Sequence, residues 1–181
     1  MINTTKLDFD IIGDKSSAES CLIFIHGWKG NKNSFQKFAQ SIQIKDSIWV
    51  LPQGPYLVDE EEGCYSWTYE ISPGKFERRE PIRMLLDFFD TEIFSRFNSK
   101  DVYLFGFSQG GLVCYEMIRI LDKPLGGIFP IGGFMSGTKK ETTRINPAQV
   151  NTPIVIGHGD SDEVILKQES EIAYRLLSKE S

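Results

Sequence analysis

The 181-residue sequence has few cysteines and no excess of positive charge. Its three cysteines, Cys21, Cys64 and Cys114, form neither a CxxC pair nor a metal-ligand spacing, so they indicate packed, reduced thiols. The formal net charge is −5 and the acidic residues are spread along the chain, which gives no support to nucleic-acid binding. We therefore expect no metal and no nucleic-acid partner.

Targeting segments and long apolar runs are also missing. No stretch approaches the ~18 apolar residues of a membrane span, and residues 1–8 lack the basic start and apolar core of a signal peptide. No phosphate-binding GxGxxG or GxxxxGK[ST] motif follows a predicted strand. These absences predict a cytoplasmic protein without stable membrane insertion and without a cofactor. By length, residues 1–181 are expected to form a single domain.

The most informative motif is Gly-Phe-Ser-Gln-Gly at residues 106–110, which lies between a β-prone run at 102–105 and an apolar helical pattern. Gly-x-Ser-x-Gly at a strand-to-helix turn is typical of a nucleophile elbow, where a strained turn presents the serine hydroxyl above a sheet. The motif predicts that Ser108 is a nucleophile and that the backbone N–H of Gln109 faces a developing oxyanion. The alternative is a glycine-rich turn with an ordinary serine.

Apolar runs of strand length alternate with helical patterns along the chain. Strands are predicted at residues 7–12, 21–25, 48–51, 102–105, 126–131 and 153–156, and helices at 35–42, 81–97, 109–121 and 163–179. Ser34 is placed to cap the first of these helices. The alternation predicts an α/β protein with a mostly parallel central sheet and helices on both faces. His26, Ser108 and the pair Asp160/Asp162 each follow the carboxyl end of a strand, where such sheets bind ligands.

Residues 53–80 are predicted to be a long irregular stretch, which in a compact domain is usually functional or disordered. The acidic run at residues 59–62 is interpreted as a solvated turn. Tyr65 and Trp67 could wall a substrate pocket or could simply pack, and the sequence leaves both interpretations open. The predicted pocket residues are Trp28, Tyr65, Trp67 and Phe134.

Five segments occur in a characteristic order. They are His-Gly-Trp-Lys-Gly at 26–30, Pro-Gln-Gly-Pro at 52–55, Ser-Trp-Thr at 66–68, Gly-Phe-Ser-Gln-Gly-Gly at 106–111 and His-Gly-Asp-Ser-Asp-Glu-Val at 158–164. In these segments the chain resembles the phospholipase/carboxylesterase family of α/β-hydrolases, which includes acyl-protein thioesterases and small bacterial carboxylesterases. The last two segments are the specific ones. The resemblance implies an α/β-hydrolase fold and hydrolysis of a small-molecule or acyl-protein ester.

The resemblance also implies roles for individual residues. Ser108 matches the nucleophile, and Asp162 matches the acid that orients and supports a histidine. The backbone N–H groups of Trp28 and Gln109 match the oxyanion hole. Asp160 is the competing acid, although both aspartates could instead cap the helix that follows them.

One member of the implied triad is missing from the chain. The triad of this fold ends with a histidine after the aspartate, yet the two histidines are His26 and His158, and none follows Asp162. Both are interpreted as structural residues that hydrogen-bond turn backbone. The resemblance implies one more strand, a histidine loop and a last helix, so the chain is expected to be C-terminally incomplete rather than a natural chain without its base. Loss of a triad histidine costs on the order of 10⁶ in kcat, so the chain as written is expected to be nearly inactive.

Two functions follow from these residues. The first is a serine hydrolase of carboxylic ester or thioester bonds that forms an acyl-enzyme on Ser108. The second is a non-catalytic α/β-hydrolase-like domain that binds an acyl ligand or a protein partner. Labelling by a fluorophosphonate separates them. Labelling that is lost in Ser108→Ala and rescued by a longer C-terminus favours the hydrolase, and no labelling at either length favours the binding domain.

Overall fold

The computed structural model describes residues 6–42, 44–135 and 144–179. Within these ranges the chain forms nine strands: β1 (Phe9–Ile12), β2 (Ser20–Ile25), β3 (Ser47–Pro52), β4 (Tyr56–Asp59), β5 (Cys64–Ser66), β6 (Tyr69–Ser72), β7 (Lys75–Glu77), β8 (Val102–Phe107) and β9 (Gly127–Ile131). The same ranges hold four α-helices: α1 (Gln36–Ser41), α2 (Arg79–Phe88), α3 (Gln109–Ile120) and α4 (Lys167–Leu177). A π-helical turn, Phe89–Ile93, continues α2.

A five-stranded sheet in the order β1-β3-β2-β8-β9 forms the centre of the fold. Strands β3, β2, β8 and β9 are parallel, and β1 pairs with β3 in the antiparallel direction at one edge. The predicted mostly parallel sheet is therefore confirmed. Because the carboxyl ends of β2, β8 and β9 meet at one edge of the sheet, the residues that follow these strands lie close together.

Strand β2 shows why the central strands read as continuous apolar runs. Cys21, Ile23 and Ile25 are buried in the larger core cluster, which includes residues of α2, α3 and α4. Leu22 and Phe24, which alternate with them, are buried in a smaller cluster that includes Ala39 of α1. Alternating side chains point to opposite faces of a strand, so both faces of the sheet are covered by helices, as the sequence predicts.

The prediction of an irregular stretch at 53–80 is wrong. These residues form two antiparallel hairpins, β4–β5 and β6–β7, which belong to two separate two-stranded sheets. Strands of three or four residues with mostly exposed side chains carry no apolar alternation, so sequence periodicity could not reveal them. The acidic run lies at the β4–β5 turn, where the Asp59 carboxylate accepts the Glu62 N–H at 3.1 Å, as expected for a solvated turn.

Several helix ends differ from their predicted positions. Helix α1 begins at Gln36, and Ser34 does not cap it, because the Ser34 hydroxyl oxygen accepts the Asn31 N–H in the preceding turn. Helix α4 begins at Lys167 rather than at residue 163, since the residues before it form a loop.

None of the helices in the described part of the chain has the length and apolarity that a membrane crossing requires.

The predicted strand at residues 153–156 is present only as isolated bridges. Ile154 pairs with Ile128 and Gly157 pairs with Ile131, both in the parallel direction, so this segment runs beside β9. It leads directly into the loop that carries Asp160 and Asp162.

Candidate active site

Ser108 connects β8 to α3 in a strained backbone conformation, with φ 52° and ψ −112°. A residue with a side chain rarely adopts a positive φ, and such strain persists only where the surroundings enforce it. The Ser108 N–H donates to the Ile131 carbonyl at 2.8 Å, and the Ser108 carbonyl accepts the Gly111 N–H at 2.9 Å. These bonds hold the serine at the carboxyl end of the sheet.

The glycines around Ser108 allow strand and helix to touch. A Cβ at Gly106 would lie 2.2 Å from the Gly110 carbonyl oxygen, and a Cβ at Gly110 would lie 2.1 Å from the Ile25 carbonyl oxygen. Neither distance is compatible with a side chain, so the close approach of β8, α3 and β2 requires glycine at both positions. The motif predicted this turn geometry correctly.

The turn at residues 27–30, which follows β2, passes next to Ser108. A Cβ built on Gly27 would lie 3.4 Å from the Ser108 Cβ. The Gly30 N–H donates to the Gly27 carbonyl at 3.0 Å, and Lys29 closes the turn with a positive φ of 58°. Trp28 lies in this turn with its indole exposed. The turn that contains the Trp28 amide is therefore adjacent to the serine.

Gln109 is the first residue of α3, so its backbone N–H has no acceptor within the helix. Its side chain is buried and reaches residues 66–68 at the end of β5. The side-chain oxygen accepts the Trp67 N–H at 2.9 Å, and the side-chain nitrogen donates to the Thr68 hydroxyl at 2.8 Å. The Ser-Trp-Thr segment was noticed in the sequence, but this role for its backbone and hydroxyl groups was not predicted.

The predicted pocket residues lie in different environments. Trp67 is only 1% exposed and its ring centroid lies 5.4 Å from that of His26, so its burial favours packing over lining a pocket. Tyr65 and Phe134 are half-buried. The Tyr65 N–H donates to the Gly30 carbonyl at 2.8 Å, which joins β5 to the 27–30 turn.

His26 is buried directly beneath the 27–30 turn, and both of its ring nitrogens are engaged. Nε2 accepts the Gly54 N–H at 2.9 Å, so the proton of the neutral ring is on Nδ1, which donates to the Gly27 carbonyl at 2.8 Å. Burial lowers the pKa of His26 to about 4. The ring is therefore neutral near pH 7 and bonded to turn backbone, as predicted, and cannot take a proton from Ser108.

Asp162 lies in the loop after residue 157, at the same edge of the sheet as Ser108. Its Oδ1 accepts the Ile165 and Val164 N–H groups, each at 2.9 Å, and these bonds hold the pKa of the carboxyl below its usual value. A Cβ on Gly132, just past β9, would lie 3.4 Å from Asp162 Oδ2. The free oxygen of Asp162 therefore faces the strand end next to the serine turn.

Asp160 is arranged differently. Its carboxylate is exposed and accepts a hydrogen bond from Lys167 Nζ at 2.6 Å, which also lowers its pKa. Of the two aspartates, Asp162 is the one with an oxygen directed at the sheet edge.

His158 is also held by backbone and side-chain partners. Its Nε2 lies 2.7 Å from the Ile165 carbonyl, which can only accept, so Nε2 carries a hydrogen. Its Nδ1 lies 2.7 Å from the Ser170 hydroxyl. The Asp162 carboxylate is 3.8 Å from Nε2, beyond hydrogen-bond distance. His158 therefore fixes the loop that carries Asp162.

A cleft of about 550 Å³ is lined by residues of the C-terminal segment: Ile156, His158, Asp160, Lys167, Ser170, Glu171, Tyr174 and Arg175. None of the predicted oxyanion or pocket residues lines it.

Among the described residues no group of three or more histidine, cysteine, aspartate or glutamate side chains could hold a metal ion.

A parallel sheet whose strand-to-helix turn carries a strained serine defines the α/β-hydrolase fold. The crystal structure of esterase PE8 has the same fold, with a TM-score of 0.79 and 22% identity over 96% of this chain and 84% of that chain. The fold expected from the sequence is confirmed.

The family follows from the sequence comparison. The model described as Phospholipase/Carboxylesterase matches residues 7–180, and the chain belongs to this family. Acyl-protein thioesterase 1 of Debaryomyces hansenii is 27% identical over 88% of this chain and 78% of its own length. A probable inactive carboxylesterase of Oryza sativa subsp. japonica is 30% identical over 86% of this chain and 70% of its own length.

Proposed function

We propose that this chain is a serine hydrolase of carboxylic ester or thioester bonds that forms an acyl-enzyme on Ser108. The observation that carries the proposal is the strained Ser108 at the sheet edge, with the 27–30 turn beside it. Similarity to an acyl-protein thioesterase supports an ester or thioester on a small molecule or on an acylated protein.

In the proposed reaction, Ser108 Oγ attacks the acyl carbonyl carbon and the carbonyl oxygen becomes an oxyanion. The backbone N–H groups of Trp28 and Gln109 donate to this oxyanion. Collapse of the intermediate expels the alcohol or thiol, and water then releases the carboxylic acid and restores the serine.

The proton of Ser108 has no acceptor among the histidines of this chain. His26 and His158 are both held by other partners. Asp162 is the acid proposed to orient a base, and Asp160 is the weaker candidate because Lys167 neutralises it. We therefore expect turnover by these 181 residues to be on the order of 10⁶-fold below that of a complete triad.

Added imidazole tests the proposal, because it can replace a missing histidine as a diffusible base. The assay follows release from p-nitrophenyl esters of several acyl lengths and from the matching thioesters. We expect turnover that increases with imidazole and is lost in Ser108→Ala, whereas Ser95→Ala, at an exposed serine in the turn after the π-helical segment, leaves it unchanged. Turnover that is equal in Ser108→Ala, or absent at every imidazole concentration, contradicts the proposal.

The second candidate is a non-catalytic domain that binds an acyl ligand or a protein partner. Two observations favour it: both histidines are engaged, and a relative is described as a probable inactive carboxylesterase. Fluorophosphonate labelling in imidazole buffer, followed by intact mass, separates the candidates. Labelling that Ser108→Ala abolishes supports the hydrolase, and saturable binding of a fluorescent fatty acid without labelling supports the binding domain.

A further inference from the structure

The side chain of Gln109 makes an unusually complete set of hydrogen bonds. Its oxygen accepts from the Trp67 N–H at 2.9 Å and lies 3.2 Å from the Ser66 hydroxyl. Its nitrogen lies 3.0 Å from the Ser66 hydroxyl oxygen and donates to the Thr68 hydroxyl at 2.8 Å. Three consecutive residues, beginning with the last residue of β5, are thus tied to the residue that follows the nucleophile.

Trp67 connects this tether to the other side of the site. Its backbone is bonded to Gln109, and its buried ring lies 5.4 Å from the ring of His26. His26 in turn donates to the Gly27 carbonyl and accepts from Gly54. The two segments that carry the proposed oxyanion donors, the 27–30 turn and the start of α3, are therefore linked through His26 and Trp67.

We propose that the Gln109 side chain is a positioning residue that fixes the backbone N–H of its own residue in the oxyanion hole, a role that rests on the proposed function. The peptide bond between Ser108 and Gln109 carries that N–H and adjoins a strained residue. Strain of this kind relaxes when its surroundings loosen. The carbonyl of this peptide accepts the Gly111 and Leu112 N–H groups, so it moves together with the first turn of α3. Without the tether this first turn shifts and carries the donor away from the oxyanion.

The chemistry of the amide explains why this position needs glutamine. The Trp67 N–H donates to the amide oxygen and the amide nitrogen donates to the Thr68 hydroxyl, so a neutral amide supplies both bonds. Methionine has nearly the same length and volume but supplies neither bond. A glutamate would accept both bonds, but it would place a negative charge beside the developing oxyanion.

Gln149 provides a matched control in the same chain. It is fully buried and similarly bonded: its side-chain nitrogen donates to the Leu121 and Lys123 carbonyls, and its oxygen accepts from Thr152. It lies in the segment before residue 153, away from Ser108. Gln149→Met therefore removes a comparable set of buried hydrogen bonds without touching the oxyanion donors.

The experiment measures fluorophosphonate labelling of Ser108 in imidazole buffer as a function of probe concentration, with thermal unfolding alongside. We expect Gln109→Met to lower the limiting labelling rate by about 10- to 100-fold with little change in the half-saturating concentration, because a displaced donor weakens the transition state. Gln149→Met should label within about twofold of the wild type, although its midpoint of unfolding falls similarly. Thr68→Val should slow labelling and Thr68→Ser, which keeps the hydroxyl, should not.

Three outcomes overturn the positioning role. Gln109→Met labels as fast as the wild type, or Gln149→Met slows labelling equally, or Thr68→Ser is as slow as Thr68→Val. In each of these the wild type is still labelled, so the proposed function stands. Absence of labelling in the wild type overturns the proposed function and the positioning role together.

Discussion

The backbone N–H of Gly54 donates to Nε2 of His26 across 2.9 Å and thereby fixes the neutral tautomer of a buried imidazole. Glycine allows this approach, since a Cβ at residue 54 would lie 2.8 Å from the Ser66 carbonyl oxygen and 3.2 Å from His26 Cε1. The ring then donates to the Gly27 carbonyl, so the end of β3 supports the turn beside Ser108. Protonation of His26 would break the bond from Gly54.

This relationship predicts how stability depends on pH. The pKa of His26 is about 4 in the folded protein and 6.5 in a solvated chain, so the unfolded state binds the proton first. The stabilisation is fully present above about pH 6.5 and is lost as the pH falls toward 4, by about 3 kcal/mol in total. Urea unfolding at about pH 7 and about pH 4.5 should show this loss in the wild type. The side chain in His26→Gln does not titrate, so between these two pH values this variant should lose about 2 kcal/mol less of its free energy of unfolding than the wild type. An equal loss in both proteins contradicts the prediction.

A second prediction concerns the contact between β2 and α3. A methyl group at Gly110 would meet the Ile25 carbonyl oxygen at 2.1 Å, so Gly110→Ala forces the helix away from the sheet. We expect a loss of about 3 kcal/mol or more in the free energy of unfolding. Gly157→Ala is the control, because the nearest atom, Ile131 Cγ1, is 3.6 Å away, and it should change stability by less than about 1 kcal/mol. Similar losses at the two positions would contradict the prediction that contact with the Ile25 carbonyl makes Gly110→Ala strongly destabilising.

The central sheet could be predicted from sequence because its strands are buried on both faces. After its first residue, Ser20, strand β2 is apolar for this reason, and its partner β3 is likewise apolar after Ser47. The hairpins β4–β5 and β6–β7 gave no such signal, since their strands are only three or four residues long and most of their side chains are not buried. Gly63 and the Pro73-Gly74 pair are local signs of those turns in the sequence, and both glycines adopt a positive φ.

The site could be predicted in part. The motif at 106–110 required a strained turn, and sterics at Gly106 and Gly110 leave no alternative. The tether from Gln109 to residues 66–68 joins positions more than forty residues apart through side-chain hydrogen bonds, and a single sequence carries no signal for such a pairing. The burial of Trp67 could not be predicted from the sequence either, because an aromatic residue in a loop can face the core or the solvent.

Asp162 provides a third prediction, based on the two N–H groups that its Oδ1 accepts. Asp162→Asn keeps an acceptor oxygen, whereas Asp162→Ala leaves the Val164 and Ile165 N–H groups without one, so Ala should lower Tm more than Asn. These bonds lower the pKa of Asp162, so its contribution is present above the unfolded value of 3.8 and is lost as the pH falls through the folded value. Scanning calorimetry at about pH 6 and about pH 3 should therefore show the difference between wild type and Asn shrinking with acid. A difference that is constant over this range would assign the effect to something other than the charge.

The strain at Ser108 makes a prediction that is independent of catalysis. At a helical position such as exposed Gln168, glycine is less stable than alanine by about 1 kcal/mol, because it has more backbone freedom to lose. At residue 108 the order should reverse, since glycine tolerates φ 52° without a clash and alanine does not. Ser108→Gly should therefore be more stable than Ser108→Ala by about 1 kcal/mol in urea unfolding. Both variants lack the hydroxyl, so neither can be labelled by a fluorophosphonate, and the comparison isolates backbone strain from reactivity. If alanine is as stable as glycine at this residue, then the backbone of the serine turn is not strained, and the physical reason for placing a nucleophile there is removed.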